Sequence, residues 1–563
     1  MSQAGVSSSL LLIPVVYLIL LLGVGFVLAR RQQSKSDFYV ASSSMGGAVL
    51  FATIFSTVVG ANTYMGFSGQ IYSGGFSTIW LLAAAGSAYF LLFFISGKIR
   101  KIASEHRVFT LPDMIELRYN RPAAFVVTFF SLIALVGGAG GSILGIGLIV
   151  NTLLGINTTL AVVITSVVTI VYTAFGGLWG VAITDWVQTI IMVAGLALVV
   201  AFGFPALAPE AGFLSSFSAG TSEISSRLGA DTLSLTQGVT LLVVIVWAIT
   251  FMPLNTISQT QIQRVYAARS AALIRRISLL MVLFVGLFAA FSLAMVGTLG
   301  AALRPGLENP ETVFPVMALE VINPVVGMIV VTGILGAAMS TVDSNLLGAG
   351  IHVSRDIVER GQRDSYTAAD EGGEGEGISE SRGLGITRWS IVVIGTASTV
   401  AALVTPSILE LLLTTQQIFA GATFVPILAG LYWRRANSSG ALTAMILGGG
   451  STIICEAFGL VSEPLLVGIV FSIIGLVAGT LLTRRESSAV DVSRLRLNLK
   501  PDLPWLALAV TFCVAFFFAI GRPGMWPYVV GLSVVALCVS VVLLLVYFVR
   551  DLYSSVPGKA GDE

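Results

Sequence analysis

Charged side chains are sparse in this sequence: 30 Lys and Arg with 29 Asp and Glu make up 10% of 563 residues, against 56% hydrophobic ones. With a mean hydropathy of +0.93, such a chain cannot dissolve as an ordinary globule, and a polytopic membrane protein is the class that remains. The net charge of +1 offers no basic surface to nucleic acid. Histidine is nearly missing, with His106 and His352 the only two, and the apolar segments hold neither paired carboxylates nor metal-ligand spacing. An intramembrane enzyme would need such a constellation. Cysteine is equally rare: Cys455, Cys513 and Cys538 all lie inside apolar runs. They form no disulfide framework and leave the redox compartment undefined.

Long apolar runs are what the chain has instead. Windows of about 20 residues, enough for a bilayer core of about 30 Å, give about fifteen candidate helices. The first, Leu10 to Ala29, has no basic flank before it and no cleavage site after it, and Arg30-Arg31 closes it. It reads as a retained helix rather than a signal peptide. Further spans run near 46–72, 79–96, 123–151, 159–177, 181–204, 238–263, 277–303, 325–352, 389–403, 408–433, 441–460, 465–482, 505–520 and 528–548. With the amino terminus outside and one crossing per span, 27 of the 30 Lys and Arg fall on the inner side or in inner helix ends. Arg227, Arg304 and Arg522 are the exceptions. That bias predicts a plasma (inner) membrane protein with its carboxyl terminus in the cytoplasm. Residues 358–387, which include the acid and glycine run Asp370 to Gly377, are too polar to bury a core and read as a flexible cytoplasmic linker. Residues 484–503 form a second linker, which sets off the last two helices (504–563) as an appendage.

Two apolar spans carry polar atoms at membrane depth. Within Gly336 to Leu347, Ser340 and Ser344 lie one helical turn apart, as do Thr341 and Ser344, so several hydroxyls share one face. A hard cation such as sodium is held by oxygens, which hydroxyls and free backbone carbonyls supply without proton chemistry. Free carbonyls require an unwound helix. Phe55 to Gly69 contains Gly60, Gly66 and Gly69 around Asn62 and is easily unwound. Close helix packing is the competing reading of both stretches, because Gly, Ala, Ser and Thr are usual where membrane helices touch. A further breaker is Pro253, which removes a backbone donor and precedes Asn255, Thr256, Ser258, Gln259 and Thr260.

Gly336 to Leu347, followed by Ser354-Arg355-Asp356-Ile357, resembles the signature helix of the sodium:solute symporter family, which includes proline, pantothenate, monocarboxylate and sodium/glucose carriers. Other family-like motifs stand in the expected order. They are Asp37 to Ala41, Thr110-Leu111-Pro112-Asp113 with Arg118-Tyr119, Gly176-Gly177 with Thr184-Asp185 and Gln188, Gln263-Arg264, and Tyr432 to Asn437 with Gly440-Ala441. The resemblance covers roughly Asp37 to Leu482. It implies an all-α polytopic membrane protein with the five-plus-five inverted-repeat fold of the leucine-transporter type. One extra amino-terminal helix (1–45) and about four extra carboxyl-terminal helices would flank it. The first repeat would occupy 46–207 and the second 238–433, with an extracellular loop at 208–237 and two additional helices at 434–483. Each repeat should open with a broken helix.

The family's sodium site takes carbonyls from the first broken helix and a carbonyl and two hydroxyls from the signature helix. By motif position these are Ser56 and Val59, then Ala337, Ser340 and Thr341. The family also places an acid on the sodium exit path, here Asp185, for which capping of a helix that begins at Thr184-Asp185 is the plainer alternative. Asp343 is an accessory candidate that would strengthen the cation field or bond a neighbouring helix. The solute is expected at Gly60, Asn62, Thr63, Asn255 and Gln259. Val58 stands where proline-type carriers have an acid, and Phe251 and Leu254 where sugar carriers have Asn and Tyr. A small amino acid or organic acid is therefore favoured over a sugar. The implied function is sodium-coupled symport by alternating access, with sodium co-transported, the lipid bilayer as surroundings and no obligate protein partner. A proton-coupled carrier using Asp343, Asp185 or Glu456, and a transporter-like solute sensor, are the alternatives.

Overall fold

Backbone polar groups in lipid must bond within their own segment, and the computed structural model meets that demand with helices. No strand occurs among the described residues, and one isolated bridge joins Met45 to Ala268. Described are residues 9–29, 35–60, 62–106, 108–229, 231–361, 380–405, 407–483, 499–522 and 525–554. Most of the two expected linkers, and Arg30-Arg31, lie outside the described residues.

The chain opens with α1 (Leu12–Ala29), then α2 (Gly47–Val58) and α3 (Asn62–Gly74), which are bent by 49° across a short break. Next come α4 (Ile79–His106), the short α5 (Leu111–Arg118), α6 (Arg121–Leu154) and α7 (Thr158–Leu207). A second bent pair follows: α8 (Leu241–Ile257) and α9 (Gln259–Ala267), at 47°. The remaining helices are α10 (Ala271–Leu303), α11 (Pro324–Ile351), α12 (Glu380–Val404), α13 (Ile408–Tyr432), α14 (Ser438–Phe458), α15 (Pro464–Leu482), α16 (Leu503–Ile520) and α17 (Trp526–Ser554). Eleven described helices are long and apolar enough to cross a bilayer, or 13 if each bent pair is one span.

Local chemistry explains where these helices start. Asn323 accepts from the Val325 N–H while Pro324 fills the first helical position, so α11 begins on an Asx cap. Thr110 and Asp113 form a reciprocal capping box at α5. Close crossings rely on glycine. A Cβ at Gly86 of α4 would sit 2.2 Å from the Gly286 Cα of α10, so those two backbones are in direct contact.

One expectation is refined and two need correction. Two spans were expected at 159–177 and 181–204, and although helical bonding is continuous from Thr158 to Leu207, the chain bends sharply between them: the Tyr172 hydroxyl lies 3.5 Å from Thr184 Oγ1, 12 residues further on. A straight helix would hold two residues so spaced about 18 Å apart, so α7 is sharply bent and its apolar parts form two separate runs, Thr158–Ala174 and Val181–Leu207. First of the two corrections, Pro253 does not break its helix. It lies inside α8, and the bend comes five residues later at Ser258, whose extended ψ of 150° ends α8 and whose side chain caps α9. Second, the last two helices are packed on the core. Trp526 packs at a tilt against Phe76 and Phe291, Phe516 meets Phe288, and Asp502 pairs with buried Arg275 at 2.6 Å.

Candidate functional site

The break after Val58 ends the helical ladder of α2: the Phe55 carbonyl still accepts from the Val59 N–H at 2.7 Å, while the Val58 carbonyl accepts from a side chain, Thr63, instead of a helical N–H. This end of α2 lies directly against α11. A Cβ at Gly60 would be 2.1 Å from Thr341 Oγ1 and 3.4 Å from the Ser56 carbonyl oxygen, so only glycine admits the approach. Ser56 Oγ is 3.4 Å from Ser340 Oγ. Thr341 Oγ1 donates to the Ala337 carbonyl at 3.1 Å. Ser56, Ala337, Ser340 and Thr341 are thus brought together, and Val59 is the residue that ends α2 beside them. All five are buried.

Asp185 lies in the interior of α7 and caps nothing: Thr184 Oγ1 bonds back to the Val181 carbonyl at 2.9 Å. The Asp185 carboxylate instead accepts from Ser340 on α11 and Thr53 on α2. Opposite it is Arg264 of α9, whose guanidinium is fully buried and 3.7 Å from Asp185 Oδ2. Arg264 spreads its donors over the Thr53 carbonyl (3.0 Å), the Thr260 carbonyl (2.9 Å) and Ser344 Oγ (2.7 Å). A planar fork with five donors suits such a junction. One ion pair therefore ties α2, α7, α9 and α11 together. Asp343 points elsewhere and accepts from Thr173 of α7. It lies outside the Ser340 and Thr341 cluster in its bonding, although it shares their helix.

A cavity of about 70 Å³ separates the two helix breaks, room for about five water molecules. Gly60, Asn62, Thr63, Asn255 and Gln259 all line it, and Thr341 forms part of its wall. None of its lining side chains is charged. Most of these polar groups are already engaged. Asn62 accepts from Ser142, Thr63 donates to the Val58 carbonyl, and Asn255 donates to the Ala85 carbonyl.

Three buried amide atoms in the same wall have no hydrogen-bond partner among the described residues: Gln259 Nε2, Gln261 Nε2 and Gln416 Oε1. Backbone partners orient two of these amides. Gln259 Oε1 accepts from the Leu111 N–H at 2.9 Å, which leaves its NH2 free. Gln416 Nε2 donates to the Ala134 carbonyl at 3.1 Å, which leaves its oxygen free. Buried atoms of this kind cost free energy unless a ligand or water meets them. Gln261 and Gln416 escaped the sequence reading, as did Thr53, Thr173 and the role of Arg264. Gln416 offered the clearest signal, an amide inside an otherwise apolar run.

Residues 38–448 match the sodium:solute symporter family. The sodium/pantothenate symporter of Escherichia coli (strain K12) is 26% identical over 447 residues, which cover 77% of this chain and 88% of that protein. A sodium/proline symporter of Staphylococcus aureus is 25% identical, covering 84% and 93%. Among solved structures, the substrate-bound outward-open state of a Na+-coupled sialic acid symporter superposes with a TM-score of 0.70 at 19% identity, covering 85% of this chain and 99% of that one. That likeness establishes the all-helical, leucine-transporter type of fold. The chain accordingly belongs to the sodium:solute symporter family, and it is a multi-pass secondary transporter, not an enzyme, with sodium as its co-transported ion.

Proposed function

We propose that this protein imports one small organic solute, an amino acid or an organic acid, together with sodium by alternating access across the plasma membrane. The observation that carries the reading is the oxygen cluster where α2 ends against α11. Ser340 and Thr341 both donate their hydroxyl protons away, to Asp185 and to the Ala337 carbonyl, so their lone pairs remain free to accept a cation. Carbonyls of Ser56, Val59 and Ala337 would complete the sodium shell. Asp185 supplies negative charge behind Ser340, and Arg264 keeps that charge paired when the site is empty. Asp185 is the residue through which sodium would leave.

Sodium in this position pins α2 to α11 and so fixes the Gly60 wall of the neighbouring cavity. The solute sits there, with Gln259 and Gln261 as donors and Gln416 as acceptor. Each ligand then favours the same closed arrangement, which is the condition for coupling. The pantothenate and proline carriers among the relatives support a solute of this class.

Thermal unfolding of the purified protein in sodium, potassium and choline chloride at equal ionic strength tests the ion site without knowledge of the solute. A ligand present at 100 times its Kd adds about 2.7 kcal/mol to stability. Sodium alone should raise Tm, and Thr341→Ala should abolish the rise. A common curve for all three salts in both proteins would overturn the assignment and direct attention to pH-driven uptake through Asp343. The same assay in sodium then screens amino acids and organic acids for the solute.

A further inference from the structure

The cavity wall is wired to a buried ionic cluster at the arginine-rich end of the molecule by two separate routes. The first is Gln259. Its free NH2 borders the cavity, while its oxygen holds the first N–H of α5, that of Leu111. The adjacent residue, Thr110, donates to Asp356 Oδ1 at 2.8 Å. The second route is Ser131 of α6, which also lines the cavity. Its hydroxyl meets His352 Nε2 at 2.8 Å, and His352 Nδ1 meets Asp356 Oδ2 at 2.6 Å. Both routes end on the two oxygens of one carboxylate. Gln259, Thr110, Ser131, His352 and Asp356 are all at most 1% exposed.

Around Asp356 the ends of α5 and of the turn that continues α11 are clamped together. Arg360 Nη2 lies 3.1 Å from Asp356 Oδ1 and 3.0 Å from Asp113 Oδ1, Arg360 Nε lies 2.7 Å from Glu116, and Arg355 Nε lies 2.7 Å from Asp113 Oδ2. Burial pushes the Asp113 carboxyl up, but Arg355 and Arg360 outweigh it and hold the group below the ordinary range. Asp113 is thus ionised at neutral pH. Asp113 and the Thr110 cap belong to the same capping box, so any movement of the Leu111 N–H is felt by the clamp at once.

We infer that Gln259 and Ser131 are coupling residues, through which occupancy of the solute cavity sets the state of the Asp356, Arg360 and Asp113 clamp, and that this clamp is the inner gate. The inference rests on the solute reading of the cavity given above. A solute acceptor atom that draws the Gln259 amide toward the cavity loosens its hold on Leu111, and a solute that takes the Ser131 hydroxyl frees His352. Both events weaken the grip on Asp356. A gate released only when the cavity is filled would keep sodium from crossing alone, because an empty carrier stays clamped.

The test uses the full-length protein with Cys455, Cys513 and Cys538 replaced by Ser and a reporter thiol introduced by Ala134→Cys in the cavity wall. It reads the labelling rate by a membrane-impermeant methanethiosulfonate in sodium, in inside-out and right-side-out vesicles. Gln259→Met, which cannot hold the Leu111 N–H, and Ser131→Ala should each raise the rate at least tenfold in inside-out vesicles only. Gln259→Glu keeps an acceptor for Leu111 and should stay within twofold of the parent. Combining Gln259→Met with Thr110→Val should add nothing further. Parent-like labelling of Gln259→Met and Ser131→Ala, or equally fast labelling of Gln259→Met and Gln259→Glu, overturns the coupling. The sodium-induced Tm shift of each variant reports whether it is folded, and Ser131→Ala carries the test if Gln259→Met is not. Protection of the thiol by L-proline or pantothenate addresses the solute reading separately: the labelling pattern without protection would count against that reading and leave the coupling intact.

Discussion

The two helix breaks bend by almost the same angle, 49° and 47°, yet are built from different chemistry. The first is made of small residues. Gly60 lets α2 end against Thr341, and what the break offers its surroundings is backbone oxygen. The second is made of polar side chains. Ser258 caps α9, and the residues that follow offer amides to the cavity and a guanidinium to the membrane interior. Similar geometry thus serves two different ligands: carbonyls suit a bare cation, and amides suit a solute with both donors and acceptors. The pairing also explains why Arg264 matters. It stands on the second broken helix but bonds to Thr53 on the first, so the two breaks are held at a fixed spacing by one residue.

Cutting that tie should have the largest effect. Arg264→Met leaves Asp185 unpaired in the membrane interior, and Asp185→Asn does the same to Arg264. Breaking a buried pair from one side costs about 3–5 kcal/mol. The double variant removes both charges and should lose clearly less than the sum of the singles, a coupling of about 1–3 kcal/mol in a denaturation cycle. Strict additivity would mean that the two breaks are spaced by something other than this pair. A smaller effect is expected at the first break itself. Gly60→Ala drives a methyl into Thr341 Oγ1, at a cost of about 1–3 kcal/mol, and should abolish the sodium-dependent rise in Tm. Adding Thr341→Ala makes room for the methyl and should recover stability but not the sodium response. Recovery of both would show that Thr341 is a packing residue and that the oxygen cluster is not where sodium binds.

This asymmetry decides how much could be read in advance. The first break and the hydroxyl face of α11 were legible as polar atoms that must meet protein, water or an ion, although close helix packing accounts for the same residue types. Ser56, Ala337, Ser340 and Thr341, which the family resemblance singled out by motif position, lie close together. Arg264, Thr53 and Asp185 were not legible as a unit, since they come from three helices and only tertiary packing places them together. The cavity shows the same limit. Asn62, Thr63 and Asn255 face it as expected, but a sequence cannot say that their polar atoms are already bonded to Ser142, Val58 and Ala85. The free atoms belong to Gln259, Gln261 and Gln416, and only the first of these was anticipated.

The finest distinction concerns which residue makes the second break. Proline inside a helix usually marks the bend, because it removes a donor and clashes with the preceding turn. Here helical structure continues through Pro253 to Ile257, and the chain turns only at Ser258, whose side chain accepts from the Gln261 N–H at 3.4 Å. Loss of such a cap costs about 1 kcal/mol. Ser258→Ala should therefore lower Tm modestly and weaken solute-dependent stabilisation, since Gln259 and Gln261 sit on the turn that the cap orders. Pro253→Ala should leave the bend and sodium-dependent uptake in place, with stability equal to or above the parent. If Pro253→Ala abolished uptake while Ser258→Ala were silent, the break would be a proline hinge after all. The contrast between a glycine-made and a serine-capped break would then collapse into one between two backbone defects.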